Sequence, residues 1–433
     1  MKNHFLIVCI LVLLCGCNSG TTKSIANPED DLRQAGIAFS ELREGLDDEG
    51  RKLWNHKLDG PVMLVNRDTR AIVANEQDTK GELKKQGEFY TGILPENINI
   101  ANTAFDWNGK HWTMVFLPLP ETKEQRLRLL IHESFHRIQP EIGFDNMEEI
   151  QSAHLDTKEG RILFRLEMEA LKQALQSEEP EHHIKNALLF RHYRNQVFPG
   201  SKSSENSLEI IEGLAEYTGL ILSGMDDDAL HSHFVSQIGE LESQPAYMRS
   251  FAYYEFPVYG YFMKQHDEAW NLKINKNTNL TDFMSELFCI DYPDLTMDEV
   301  IRIGRSYNVE PIIRSEEERE LKHKELVKAY MARFLGDSIL RISLENMNIG
   351  FNPSNLMPLD TFGTVYPNLR ITDNWGILEV DSCGALLSPD WCNVTISFPE
   401  MITDTLITGR GWRLKVTNGW KLKEEGAIYS ITH

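Results

Sequence analysis

The residues with the most chemistry per unit length are His132-Glu133-Ser134-Phe135-His136. Two histidines four apart on a helix lie about 40° apart around its axis, so both imidazoles address one point. That arrangement supplies two nitrogen ligands of a tetrahedral zinc ion. Glu133, one residue past the first histidine, is placed to take a proton from water activated at such a metal as the water attacks a carbonyl carbon. The helix that must carry the pair is itself legible. Pro118 and Pro120 precede it, and Thr122-Lys123-Glu124-Gln125 has the form of a capping box. Leu127, Leu130, Ile131, Phe135 and Ile138 mark one apolar face, and Pro140 ends it. A zinc cofactor held this way needs a third protein ligand and one position left open for water.

The surrounding sequence narrows the class. Metzincin proteases carry Gly and His three and six residues after the second histidine; here those places hold Gln139 and Ile142, which excludes them. The segment Ile211-Glu212-Gly213-Leu214-Ala215-Glu216-Tyr217 resembles the glutamate helix of gluzincin metallopeptidases, the thermolysin-like zincins. The resemblance implies that Glu212 is the third zinc ligand. It also implies that Glu216, one turn on, hydrogen-bonds the outer N–H of a ligand histidine. Gly213 fits a helix that must approach another closely, at a cost of about 1 kcal/mol against Ala. The separation between His136 and Glu212 is longer than in many gluzincins, and Glu159, Glu167 and Glu169 on the intervening helix remain rival ligands or members of a salt-bridged packing helix.

Zincins also stabilise a tetrahedral oxyanion, often with Tyr or His. The stretch 250–261 carries four tyrosines. Tyr259 is the first expectation for this role and Tyr253 the second, with an aromatic core as the other reading. Arg249, just upstream, suits a site carboxylate or a substrate terminus. By the same resemblance, Thr113–Phe116 is an edge strand that binds extended peptide; an interior strand is the alternative. A family of poorly characterised secreted bacterial proteins is similar over about 60–261, sharing Leu58–Pro61, Asn102–Ala104 and His132–Arg137, and continuing into Gly363–Pro367. That similarity implies one shared architecture and no substrate.

The chain opens with Lys2, an apolar run over 5–14 and small residues, the pattern of a secretory signal, and the run is too short to span a membrane. Leu14-Cys15-Gly16-Cys17 resembles the lipobox of bacterial lipoproteins. This implies a signal peptide over 1–16, lipidation of Cys17, a tether over 17–30 and an exported protein anchored at the cell envelope, with Asn18 pointing to the outer membrane.

The elements needed to position the site fall into an α+β arrangement. Helical spacing covers 31–58, and strand-like runs lie at 62–65, 71–74, 98–101 and 111–117. Helices follow at 122–139, 158–176, 181–194, 207–223, 226–241, 246–265 and 315–335, and six to eight short strands after 338. The expected organisation is a zincin-like metallopeptidase unit over 31–335, made of an αβ lobe (31–120) and a helical lobe (121–335), then a β-sandwich-like module over 336–433. Forty-four basic against 65 acidic residues, a net charge of −21, exclude the basic footprint of a nucleic-acid binder. Cys289 reads as buried; Cys383 and Cys392 form a disulfide or stay free. The leading expectation is a membrane-anchored zinc metallopeptidase acting on a peptide or protein substrate. The competing one is a non-catalytic surface lipoprotein whose β module binds a glycan or protein partner through Trp375, Trp391, Trp412 and Trp420.

Overall fold

The computed structural model describes residues 7–9, 28–46, 49–292, 294–336, 338–352, 355–417, 419–425 and 428–433. The lipobox and Cys17 lie outside them. Of the leader, only Ile7–Cys9 is described, as backbone paired in parallel with Ile349–Phe351. The first helix, Pro28–Gly45, begins three residues inside the stretch expected as tether, with Glu29, Asp30 and Asp31 in its first turn, where acidic side chains favour a helix start.

In the N-terminal sheet, alternate residues point to opposite faces. Val62 and Leu64 join the core under the helices, while Met63 and Val65 join a second core on the far side. Both faces are covered, so the strand reads as one apolar run. The strand order is Lys84–Gln86, Phe89–Ile93, Ala71–Ala74, Val62–Asn66, Lys110–Leu117, Thr103–Trp107, with one parallel pair, Val62–Asn66 beside Lys110–Leu117. Thr113–Phe116 therefore lies inside the sheet and corrects the expected peptide-binding edge. The sheet's edges are Lys84–Gln86 and, next to Lys110–Leu117, Thr103–Trp107, which among the described residues pairs on one side only. Residues 98–101, expected as a strand, form an irregular connection.

The helix Lys123–Ile138 packs its apolar face on this sheet and on Pro28–Gly45, with Thr122 capping its start by accepting the Gln125 N–H at 3.3 Å. Across it runs a continuous helix built from Ser201–Leu208, a π-helical turn Glu209–Gly213, and Leu214–Ile221. Gly219 sets how close the two come. A Cβ there would stand 2.6 Å from the Arg128 carbonyl oxygen and 3.3 Å from His132 Cβ. Gly213, expected to serve this crossing, instead faces Phe256, 2.8 Å from where its Cβ would be. Lys158–Gln176 and Glu181–Val197 form a helical hairpin behind. Two eight-residue helices, Leu280–Leu287 and Met297–Gly304, lie outside the expected ranges, although the second opens with a capping box of Thr296 and Glu299.

From Ile339 the regular elements are almost all strands: among the described residues, thirteen short strands to Thr432, more than expected, in two sheets. Leu340, Ile342, Val394 and Ile396 of one sheet share a core with Ile349, Ile371, Leu378 and Leu414 of the other, the packing of a sandwich. Trp375 and Trp412 are buried in that core, and Trp391 and Trp420 are partly buried against it. The four tryptophans form no exposed face. Cys383 and Cys392 are free thiols, and Cys289 is exposed rather than buried. Among the described residues no helix is long and apolar enough to cross a membrane.

The tight crossing makes a prediction. Gly219→Ala should destabilise the protein by about 1–3 kcal/mol through overpacking, read from urea unfolding. A variant as stable as the parent would show that the two helices have room to separate.

Candidate metal centre

The two histidines lie one turn apart and their Nε2 atoms stand 3.1 Å from each other. Glu212 Oε2 completes a triangle, 3.2 Å from His136 Nε2 and 3.5 Å from His132 Nε2. Zinc–nitrogen bonds of about 2.0–2.1 Å place the ligands of a tetrahedral ion about 3.3–3.4 Å apart. The three edges of the triangle bracket that distance.

The outer nitrogens are tied down. His132 Nδ1 lies 2.9 Å from Glu216 Oε2, and Glu216 is in turn gripped by Arg128. His136 Nδ1 lies 2.8 Å from Gln139 Oε1. Since a carboxylate and an amide oxygen only accept, both Nδ1 atoms must donate, which leaves the Nε2 lone pairs aimed at each other and at Glu212. Gln139 has a second task. Its amide Nε2 donates to the carbonyls of Ile210 and Ile211, at 3.0 and 2.9 Å, in the π-helical turn.

The site gathers several buried ionisable groups. Glu133, Glu212 and Glu216 are buried, Glu149 nearly so, and the two guanidiniums among them are Arg128 and Arg249. Four carboxyl groups and two guanidiniums crowd a site away from water, which is costly unless charge is balanced, and burial pushes Glu149 up to about 8 so that it holds its proton at neutral pH. Burial opposes charge on His132, yet hydrogen bonds to Glu212 and Glu216 outweigh it and push the imidazole up to about 10. Burial pushes Glu133 up to about 7, against the pull of both histidines. Donor types, spacing, tautomers and charge all fit zinc.

A cleft of about 230 Å³ opens onto the group, with His132, Glu133, His136 and Glu212 at its floor and Tyr253 on one wall. Its lip is the start of the edge strand, Asn102 to Ala104, together with His111, whose Nδ1 is 2.8 Å from Asp106. Larger clefts of about 550 and 780 Å³ contain neither histidine of the pair, so chemistry and not size picks out this one.

The expected site residues separate cleanly in space. His132, Glu133, His136, Glu212, Glu216 and Tyr253 are together. The Tyr253 ring lies parallel to the His132 ring at 5.8 Å. Tyr259 is elsewhere: its hydroxyl donates to Glu167 at 2.8 Å, inside a buried cluster with Arg191 and Arg194. That corrects its place as first expectation, and it removes Glu167 as a rival ligand. Glu169 pairs with Lys172 and Asn308, and Glu159 is exposed. Sequence reasoning missed Gln139, Glu149, Arg128 and His111. Arg137, directly after the second histidine, bonds the Leu58 and Asp59 carbonyls at 2.9 and 3.0 Å, and a Cβ on Gly60 would stand 2.5 Å from its guanidinium carbon. The segments Leu58–Pro61 and His132–Arg137 thus touch, and Asn102–Ala104 lines the cleft. No family model, curated protein or solved structure matches this chain.

Because a cation must displace the His132 proton, metal affinity should fall as pH falls from about 8 to 6, with roughly one proton or more released per zinc at neutral pH. Calorimetry in two buffers of different protonation enthalpy reads this directly. Heats that do not depend on the buffer would contradict it.

Proposed function

We propose that this chain is a zinc-dependent hydrolase of peptide bonds, with a zincin-like unit of the gluzincin kind. The observation that carries the reading is the convergence of His132 Nε2, His136 Nε2 and Glu212 Oε2 within 3.5 Å, with Glu133 in the same cleft and Thr103 and Ala104, of a strand that pairs on one side only among the described residues, lining it. Zinc held by these three residues supplies Lewis acidity, which polarises a carbonyl and makes water a nucleophile near neutral pH.

The protein's own groups do the rest. Thr103–Trp107 offers a free edge to which an extended peptide adds as another strand. Glu133, buried and brought close to neutrality, accepts a proton from the attacking water and returns it to the leaving amine. Tyr253 keeps its phenol proton because burial and the neighbouring Glu212 charge push its pKa well above the usual range, so it donates a hydrogen bond to the oxyanion. His111, oriented by Asp106, brings a second polar group to the lip.

The lipobox-like start extends the proposal to an exported enzyme anchored at the cell envelope through Cys17. The burial of Trp375 and Trp412 takes away the aromatic face on which a glycan-binding reading depended.

Glu133→Gln should keep its zinc while turnover of a proteome-derived peptide library falls by about 100- to 10,000-fold. Metal analysis and cleavage profiling of parent and variant check both halves. Unchanged turnover would assign the base elsewhere, and loss of zinc would make Glu133 a ligand.

A further inference from the structure

The C-terminal sandwich reaches the metal centre through one arginine. The segment ahead of Tyr253 is pinned at its backbone, where the N–H groups of Tyr247 and Met248 donate to Asp156 at 2.7 and 3.1 Å. The Met248 side chain does not return to the helical body. It is buried in the sandwich core beside Phe351 and Tyr366. Arg249 is thereby delivered to the junction, 3% exposed. One of its terminal nitrogens bonds Glu149, and the other lies 3.4 Å from Glu212 Oε1. Its guanidinium carbon stands 5.4 Å from the centre of the Phe351 ring, and Tyr366 braces that ring edge-on at 5.0 Å.

The two oxygens of Glu212 consequently have different tasks: Oε1 faces Arg249 and Oε2 faces the imidazoles. A carboxylate whose second oxygen is unrestrained can swing to bind a metal through both. A planar guanidinium fork, fixed at one tine by Glu149 and over its face by an aromatic ring, resists that swing. A lysine at the same place would offer a point charge without the fork.

We propose that Arg249 is a positioning residue that restricts Glu212 to ligation through one oxygen, and that the sandwich, through Phe351 and Tyr366, holds Arg249 in place. The sandwich is then a part of the metal centre and not a separable binding appendage. This rests on His132, His136 and Glu212 being the zinc ligands.

The test uses full-length chain and three variants. Phe351→Leu removes the ring face, keeps apolar bulk and touches no ligand. Arg249→Lys keeps charge without the fork. Leu414→Ala opens the same sandwich core on the strand Trp412–Val416, away from the Phe351 ring and the Arg249 ion pairs, and reports general destabilisation. Zinc affinity is measured by chelator competition, and coordination by the visible absorption of the cobalt(II)-substituted proteins, which weakens when a four-coordinate site gains a ligand. Arg249→Lys should weaken zinc by about 10- to 100-fold, the usual loss when a partner of a metal ligand is removed, and lower the cobalt absorption. Phe351→Leu should shift both readouts in the same direction and less far. Leu414→Ala should lower Tm and leave both unchanged. Parental affinity and spectrum in Phe351→Leu and Arg249→Lys, or an equal loss in Leu414→Ala, would overturn the inference while leaving the zinc reading intact. No zinc uptake by the parent chain overturns both.

Discussion

Two imidazole nitrogens and a carboxylate oxygen that face one another away from water repel unless something positive sits among them. Here they are held at 3.1–3.5 Å, and much of the helical lobe can be understood as what keeps them there. Each imidazole must present its Nε2 lone pair inward, so each Nδ1 needs an acceptor, and Glu216 and Gln139 are those acceptors. Glu216 is itself a buried charge and needs Arg128; Glu212 needs Arg249; Arg249 needs Glu149. The chain of obligations ends in protons: His132 is pushed up to about 10 and Glu149 up to about 8. On the zinc reading, metal uptake and proton release would be one event.

The same logic explains an unusual helix. Glu205, Glu209, Glu212 and Glu216 would fall within a band of about 60° on a regular helix, and four carboxylates on one stripe would share one site. The π-helical turn Glu209–Gly213 inserts an extra residue into that stripe and separates it into two pairs. Glu212 and Glu216 face the histidines. Glu205 and Glu209 face Arg194 and Arg191, where Glu167, Glu255 and the Tyr259 hydroxyl complete a fully buried cluster. Four acids there share two arginines. Burial pushes the Glu255 carboxyl well above its usual range, so one of them stays neutral. The carbonyls that the π turn exposes at Ile210 and Ile211 are taken by Gln139, which is also the partner of His136. The distortion of one helix is thus bonded directly to the orientation of a ligand on the other.

These couplings mark the limit of what the sequence discloses. The histidine helix, its cap and its apolar face follow from local spacing, and the helix formed as that spacing dictates. Glu212 and Glu216 were readable because their motif lies within one helical turn. Tyr253 and Tyr259 have equal chemistry in the sequence, and only the direction each side chain takes, fixed for Tyr259 by Glu167 and by the helix break at Glu255, tells them apart. Gly213 and Gly219 pose the same problem: either could lie at a helix crossing, and the crossing point depends on tertiary packing. Of the two readings open for Thr113–Phe116, edge and interior, the interior one holds, and the strong apolar signal of Lys110–Leu117 follows from its interior place. Gln139 carries no signal at all until the π turn is known.

The placement of the cleft constrains what such a centre can act upon. The cleft is lined by Ile211 and Glu212 of the carboxylate helix, by Tyr253, and by Thr103 and Ala104 of the edge strand together with His111 and Pro140. A volume of about 230 Å³ is below the roughly 300–1,000 Å³ of pockets that enclose a whole small ligand. It suits a narrow section of a longer molecule. On the peptidase reading, the substrate enters as extended backbone along Thr103–Trp107, so the cleavable bond must lie in a stretch already free of its own secondary structure. Selection by a free sheet edge is then selection for unfolded or flexible chain first, and for side chains second.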